Sequence, residues 1–208
     1  MPTDDRPVVI AVCGSPAAGK TTVAAATARH LGVLFLTRDE IKTGLGLSSA
    51  RAAEDGSVRL DPDVHLAGGP FGRRAERVMV NTARLLASSG VSFVVESSLI
   101  SGDLVDALHA CGARVLAVHV VADQAVVRER LRARASKGWT VDEQLAAQFE
   151  RGEMDPSIFH PPRGADAVIE ADTSAGEEPR VRIIEAAVVG LLTSGSATGC
   201  LGTGTKRS

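Results

Sequence analysis

Residues 14–21 read GSPAAGKT, two glycines framing a short crest and leading directly into a lysine and a threonine. This is a full match to G-x-x-x-x-G-K-[ST], and its chemistry is that of a phosphate cradle. Gly14 and Gly19 let the chain turn tightly around Pro16, so that the backbone N–H groups of Ser15, Ala17 and Ala18 converge on phosphate oxygens. Lys20 can reach the β- and γ-phosphates, and the Thr21 hydroxyl can meet Mg2+. Thr22 follows on the same helix start, whose N-terminal field favours an anion. ATP and Mg2+ are therefore the expected ligands.

A cradle does not say where a phosphoryl group goes. The segment TRDEIK puts Arg38, Asp39 and Lys42 just past an apolar run. Asp39 can accept or orient the proton of an acceptor hydroxyl, the group that kinase chemistry needs near the γ-phosphate. Its competing role is an ordinary helix cap. Arg38 and Lys42 can touch substrate or phosphate. VVESS at 94–98 sets Glu96 at the end of another apolar run, where it can hold Mg2+ through water, activate a nucleophile, or pair with an arginine. Ser98 can hydrogen-bond a polar ligand. In RERLRARA, Arg128 and Arg132 share one helical face and Arg130 and Arg134 another. One such pair can close over phosphates and stabilise transferring charge.

These residues need elements to hold them. Strand-like runs at 8–12, 33–36, 91–95, 113–121 and 166–171 alternate with helical patterns at 20–31, 38–45, 71–89, 103–111, 123–136, after Thr140, and 179–193. Asp123 is placed to cap the arginine-rich helix. This alternation predicts an α/β fold, a mostly parallel five-stranded sheet covered on both faces. The carboxyl ends of such strands gather ligands, and here they carry Gly14, Asp39, Glu96 and the loop at Asp172. One domain is expected over 1–193, with an insert at 48–70 that can hold a short hairpin, a lid at 128–142, and a small, polar tail at 194–208.

A formal net charge of −2 argues against a broad nucleic-acid-binding surface. No apolar stretch reaches 18 residues, so no membrane span is expected. MPTDDRPVVI does not read as a secretory signal, and three unclustered cysteines favour reduced thiols over a disulfide framework. A cytoplasmic protein is expected, with monomer and homodimer both open. Cys13 reads as a small buried residue ending a strand. No guanine-reading N-K-x-D stretch is present.

With GSPAAGKT, TRDEIK, VVESS and RERLRARA in this order, the chain resembles the P-loop kinase superfamily, in particular the polynucleotide 5′-hydroxyl kinases and the chloramphenicol phosphotransferases, over about residues 8–193. The resemblance implies a three-layer α/β/α nucleoside/nucleotide-kinase-like fold and makes Asp39 the group that deprotonates the acceptor. Lys42 stands where arginine is common, and Glu96-Ser97 where the relatives carry Asp followed by Ser or Thr. Arg130 and Arg134 become the phosphate-clamping lid residues, and EADTS, with Asp172, the loop that contacts adenine. The insert would line the acceptor pocket, offering Asp61, Asp63, His65 and Arg74.

The expected activity is transfer of ATP's γ-phosphoryl group to a hydroxyl of a small polar molecule such as an antibiotic, nucleoside-like metabolite or sugar. The alternatives are a kinase of nucleic acid 5′-hydroxyl ends and a non-catalytic ATP-dependent binding module.

Overall fold

The computed structural model describes residues 5–65, 69–136, 140–154, 156–175 and 180–194. β1 (Val8–Cys13) is buried at every residue, as a central parallel strand covered on both faces must be. It leads through the P-loop into α1 (Lys20–Leu31), which Gly32 ends in a left-handed cap. β2 (Leu34–Thr37) and α2 (Arg38–Ser48) follow, then a hairpin of β3 (Arg51–Ala52) and β4 (Val58–Arg59), the hairpin expected of the insert. A 3-10 turn at Pro62–His65 precedes α3 (Pro70–Ser88), which takes proline in its first turn.

The chain continues through β5 (Phe93–Glu96), α4 (Gly102–Ala110), β6 (Arg114–Val121), α5 (Gln124–Ala135), α6 (Thr140–Glu150), β7 (Ala167–Asp172) and α7 (Val181–Ser194). The five long strands form one parallel sheet in the order β2-β5-β1-β6-β7. Alternation along β1 divides the core. Val8, Ile10 and Val12 pack with Val23, Ala24, Ala28, Ile184 and Leu191 of α1 and α7. Val9, Ala11 and Cys13 pack with Met79, Ala83, Leu104 and Leu108 of α3 and α4. Arg114, buried at the start of β6, donates to the Leu191 carbonyl and ties α7 to the sheet.

A smaller apolar cluster joins the lid to the phosphate loop. Ala17, Val127 and Leu131 pack with Leu145, Ala146 and Phe149, so α5 and α6 rest on the crest of the P-loop. On the far face of α5, Arg128 and Arg132 both pair with Glu150 of α6, and Arg128 lies 5.7 Å over the Phe149 ring. Asp123 occupies the N-cap of α5, but its side chain makes no capping bond. Its N–H is instead taken by Ser174 Oγ at 2.8 Å, which fastens the start of α5 to the loop after β7. No helix among the described residues is long and apolar enough to cross a membrane.

Candidate active site

The phosphate loop owes its shape to two close approaches. Gly14 has φ +138°, and a Cβ there would run into the Val120 carbonyl oxygen. Gly19 has φ +95°, and a Cβ would meet Thr173 Oγ1 at 3.3 Å. The loop also holds Ala17 in the left-handed region, φ 60°, a conformation that L residues adopt at a cost. Gly14 N donates to the Ser98 carbonyl at 3.3 Å, so Ser98 supports the loop through its backbone. Lys20 is buried, and its Nζ donates to the Ser15 carbonyl at 2.9 Å. Burial pushes its ammonium pKa down; the charges of Glu96 and Asp39 pull it back up, and Arg134 pushes it further down. Cys13 is a buried strand-end residue as expected, and burial raises its thiol to about 11 although Lys20 works the other way.

Sheet register assembles the acidic side. Glu96 is in register with Val12 of β1 and Thr37 of β2, so its carboxylate stands between the P-loop and the start of α2. It is buried, 4% exposed, and lies 3.4 Å from the exposed Thr21 hydroxyl, which donates to Oε2. Burial raises the Glu96 pKa; Lys20 lowers it, Asp39 raises it, and hydrogen bonds from Thr37 and Thr21 lower it. Glu96 thus faces Lys20 and Thr21, and among the described contacts no lid arginine pairs with it.

Asp39 sits exposed in the first turn of α2 and is not its cap. Thr37 caps that helix, accepting from Asp39 N at 3.2 Å. The carboxylate is left to act outward, and its charge is felt by Lys20, Glu96 and Lys42. Lys42 is half-buried one turn on. Burial lowers its pKa, Asp39 raises it and Arg38 lowers it. Arg38 approaches Glu76 of α3 at 3.9 Å, and its Nε is buried without a hydrogen-bond partner.

On the lid side a cavity of about 220 Å3 is lined by Ala17, Gly19, Thr22, Val23, Arg130, Ala133, Arg134 and Thr173. The two arginines are held differently. Arg130 Nη1 donates to the Ala17 carbonyl at 3.3 Å and to Thr173 Oγ1 at 3.0 Å, while Nη2 donates to the Thr173 carbonyl at 3.0 Å. Arg134 is exposed, and its charge acts on Lys20. The pairing of faces expected from sequence holds: Arg128 and Arg132 turn to α6, Arg130 and Arg134 to the phosphate loop.

Thr37 and Thr173 are the site residues that sequence reasoning missed. A hydroxyl-bearing residue at the carboxyl end of a strand was the available signal, shared by both. Asp172, singled out in the same loop, is exposed, and its carboxylate accepts from Ser174 N and Oγ at 2.8 and 2.6 Å. That turn presents Thr173, not the Asp172 side chain, to the cavity.

Among the described hydrogen bonds and ion pairs, none joins Asp61, Asp63 or Arg74 to this group. Asp61 is exposed, accepts from Asp63 N at 2.9 Å, and lines a second cavity with Arg51, Glu54 and Arg59. Arg74 is exposed in the first turns of α3. His65 ends the 3-10 turn, and its side chain lies outside the described residues, as does the segment 137–139 of the expected lid and the tail beyond 194.

Known proteins fit this geometry. The AAA domain family AAA_33 matches residues 9–153. A putative kinase from Chloroflexus aurantiacus is 25% identical, with a TM-score of 0.70 and coverage of 89% of this chain and 98% of that one. A shikimate kinase from Acinetobacter baumannii (18% identity, TM-score 0.53, 93% and 97% covered) and a gluconokinase from Sinorhizobium meliloti (17%, 0.52, 94% and 98%) share the fold. No curated protein sequence matches the chain significantly. With a P-loop between a buried strand and helix, a parallel five-stranded sheet and a family match over well more than half its length, the chain belongs to the AAA domain family and carries a nucleotide-binding site on a P-loop kinase fold.

Proposed function

We propose that the protein is an ATP-dependent phosphotransferase that moves the γ-phosphoryl group to a hydroxyl of a small polar acceptor. The observation that carries this reading is Asp39: an exposed carboxylate relieved of capping by Thr37, next to Glu96 and within the field of Lys20. An ATP-binding module without transfer has no use for an outward carboxylate held there. The shikimate kinase and the gluconokinase that share this fold act on small acceptors, which supports the same class.

In this reading the acceptor oxygen attacks the γ-phosphorus, the bond to the β,γ-bridging oxygen breaks, ADP leaves, and the acceptor proton passes to Asp39. Lys20 exchanges its bond to the Ser15 carbonyl for phosphate oxygens, and Arg134 adds positive charge from the lid. The backbone of the loop holds the phosphates where the two glycines leave room for them.

A magnesium ion fits the residues present. The exposed Thr21 hydroxyl and the buried Glu96 carboxylate stand side by side, and no group of three or more His, Cys, Asp or Glu among the described residues could hold a metal alone. Such an ion would therefore be held by Thr21, by Glu96 through water and by the nucleotide's own oxygens, and it would neutralise charge on the phosphates.

The test is acceptor-dependent ADP formation with ATP and Mg2+ across hydroxylated antibiotics, nucleosides, sugars and 5′-hydroxyl oligonucleotides, with product mass as readout. A singly phosphorylated small molecule whose formation Asp39→Asn abolishes supports the proposal. Labelling of oligonucleotides alone replaces it with the polynucleotide reading. ATP binding with no transfer to any member replaces it with the binding module.

A further inference from the structure

α7 packs one apolar face on the core and turns a second one outward. Ile184 and Leu191 are buried with the residues of α1 and the sheet. On the other side Ile183, Val189 and Leu192 are 49%, 53% and 42% exposed. Positions 182, 186, 189 and 193 follow the i, i+4, i+7, i+11 spacing of a single helical stripe, and at 100° per residue that stripe lies opposite Ile184 and Leu191. Arg182 is the one charged residue among the exposed positions described in this helix. A solvated helix face ordinarily collects its charges there, as α5 does with Arg128, Glu129 and Arg132.

The charges on α7 say what covers this face. Its first turn holds no acidic residue and its last turn no basic one, and Arg182 stands in the first turn, where the helix dipole disfavours a cation. No ion pair among the described residues engages Arg182. A second α7 laid antiparallel across the first reverses the mismatch, because each Arg182 then meets the last-turn carbonyls of the other helix, where a cation is favoured. Gly190 fits the same arrangement. Its carbonyl is 3.0 Å from Thr193 Oγ1, which turns that hydroxyl onto the backbone. A Cβ built at Gly190 meets nothing within 4 Å, so side-chain packing within the chain does not demand glycine there, although glycine weakens a helix interior. In the antiparallel pair the bare surface at Gly190 receives the partner's Ile183, and Ala186 lets the helices approach at the crossing. We propose that the outward face of α7 is a self-association surface, on which a second copy of this chain packs its own α7 about a two-fold axis.

Such an interface is isologous, so every contact is made twice. The chain's own residues 195–208 are a poorer cover, since Leu201 is their only aliphatic side chain larger than alanine. A pair of 14-residue helices, each about 21 Å long, makes a small interface of the size found in transient complexes. A reversible dimer with a dissociation constant on the order of 10–100 μM is therefore expected. α7 packs on the α1 side of the sheet, and none of its residues lines the cavity of Arg130 and Arg134.

The experiment is sedimentation of the full chain, without nucleotide, from about 1 μM to about 500 μM, a range that brackets the expected constant. The wild type should pass from monomer to dimer. Val189→Glu puts two carboxylates into the apolar contact and should weaken the dimer at least about a hundredfold, with helical content by circular dichroism unchanged. Arg182→Glu places an anion against each helix C-terminus and should weaken it about tenfold through the two equivalent contacts. Gly190→Gln separates association from folding. It replaces glycine by a better helix former in open space, so the monomer should resist denaturant as well as the wild type or better, while the dimer weakens about tenfold through the crowded contact. A wild type that stays monomeric throughout would overturn the inference, whatever else covers the face. A dimer that Val189→Glu and Gly190→Gln leave intact would place association elsewhere and overturn it equally, and one that Arg182→Glu does not weaken would overturn the antiparallel arrangement.

Discussion

The backbone N–H of Asp39 donates to Thr37 Oγ1 at 3.2 Å, and the same hydroxyl reaches the Glu96 carboxylate. One threonine thus caps α2 and bonds the buried acid beside it, and Asp39 is left with no structural duty of its own. Asp39→Asn should therefore lower acceptor-dependent turnover by about 10²–10⁴-fold, the span of a lost general base. Affinity for an ATP analogue and the melting temperature should stay near wild-type values. Thr37→Ala should have the opposite profile at the level of folding, costing about 1 kcal/mol for the lost cap, measurable by chemical denaturation.

Lys20 is buried and its ammonium is satisfied by a loop carbonyl when it is not on phosphate. Lys20→Met keeps the stem and removes the charge. The expected result is loss of the stabilisation that an ATP analogue confers in a thermal melt, with a folded chain in its absence.

Glu96 has a pKa raised by burial, against which Lys20 and the threonine hydroxyls work only in part. The folded state then holds its proton more tightly than the unfolded chain does. The contribution is fully stabilising below the ordinary carboxylate range and is lost as pH rises through the raised folded value. Glu96→Gln should accordingly melt higher than the wild type at neutral pH, and the gap should close on acidification into the ordinary carboxylate range. Turnover should fall in the same variant. A variant that melts lower at neutral pH would show that the pairing with Lys20 outweighs burial.

The lid arginines should separate kinetically. Arg134→Gln is expected to lower kcat by about 10²-fold, the cost of one donor to developing charge, with KM for ATP little altered. Arg128→Gln, on the face turned to Glu150, should change either constant by less than about twofold, since exposed ion pairs contribute at most about 1 kcal/mol. Steady-state kinetics on both variants checks the division.

Gly46 of α2 is buried against the 3-10 turn, and a Cβ there would collide with Val64 Cγ2. Gly46→Ala should cost about 1–3 kcal/mol through overpacking, read by denaturant titration, and should leave affinity for the ATP analogue unchanged. The contact lies between α2 and the insert, away from the cavity that holds Thr173 and Arg130.

The phosphate cradle was legible in the sequence because its determinants are local. Two glycines, a lysine and a threonine at fixed spacing, between a β-branched run and an alanine-rich one, specify turn, strand and helix within twenty residues or so. The alternation of runs likewise announced the parallel sheet, and the i, i+4 spacing separated Arg130 and Arg134 from Arg128 and Arg132 before any partner was known. What tertiary structure alone decided were contacts between residues far apart in the chain. Whether Asp39 is a cap turned on the orientation of Thr37. Whether Glu96 meets a lid arginine or the P-loop turned on the register of β5 with β1 and β2. The reach from Thr173 to Ala18 spans 155 positions, and a threonine after a strand carries no mark of the carbonyl it will find. Sequence periodicity encodes which face of an element is buried; only the packing of elements against one another determines which polar group waits on the other side.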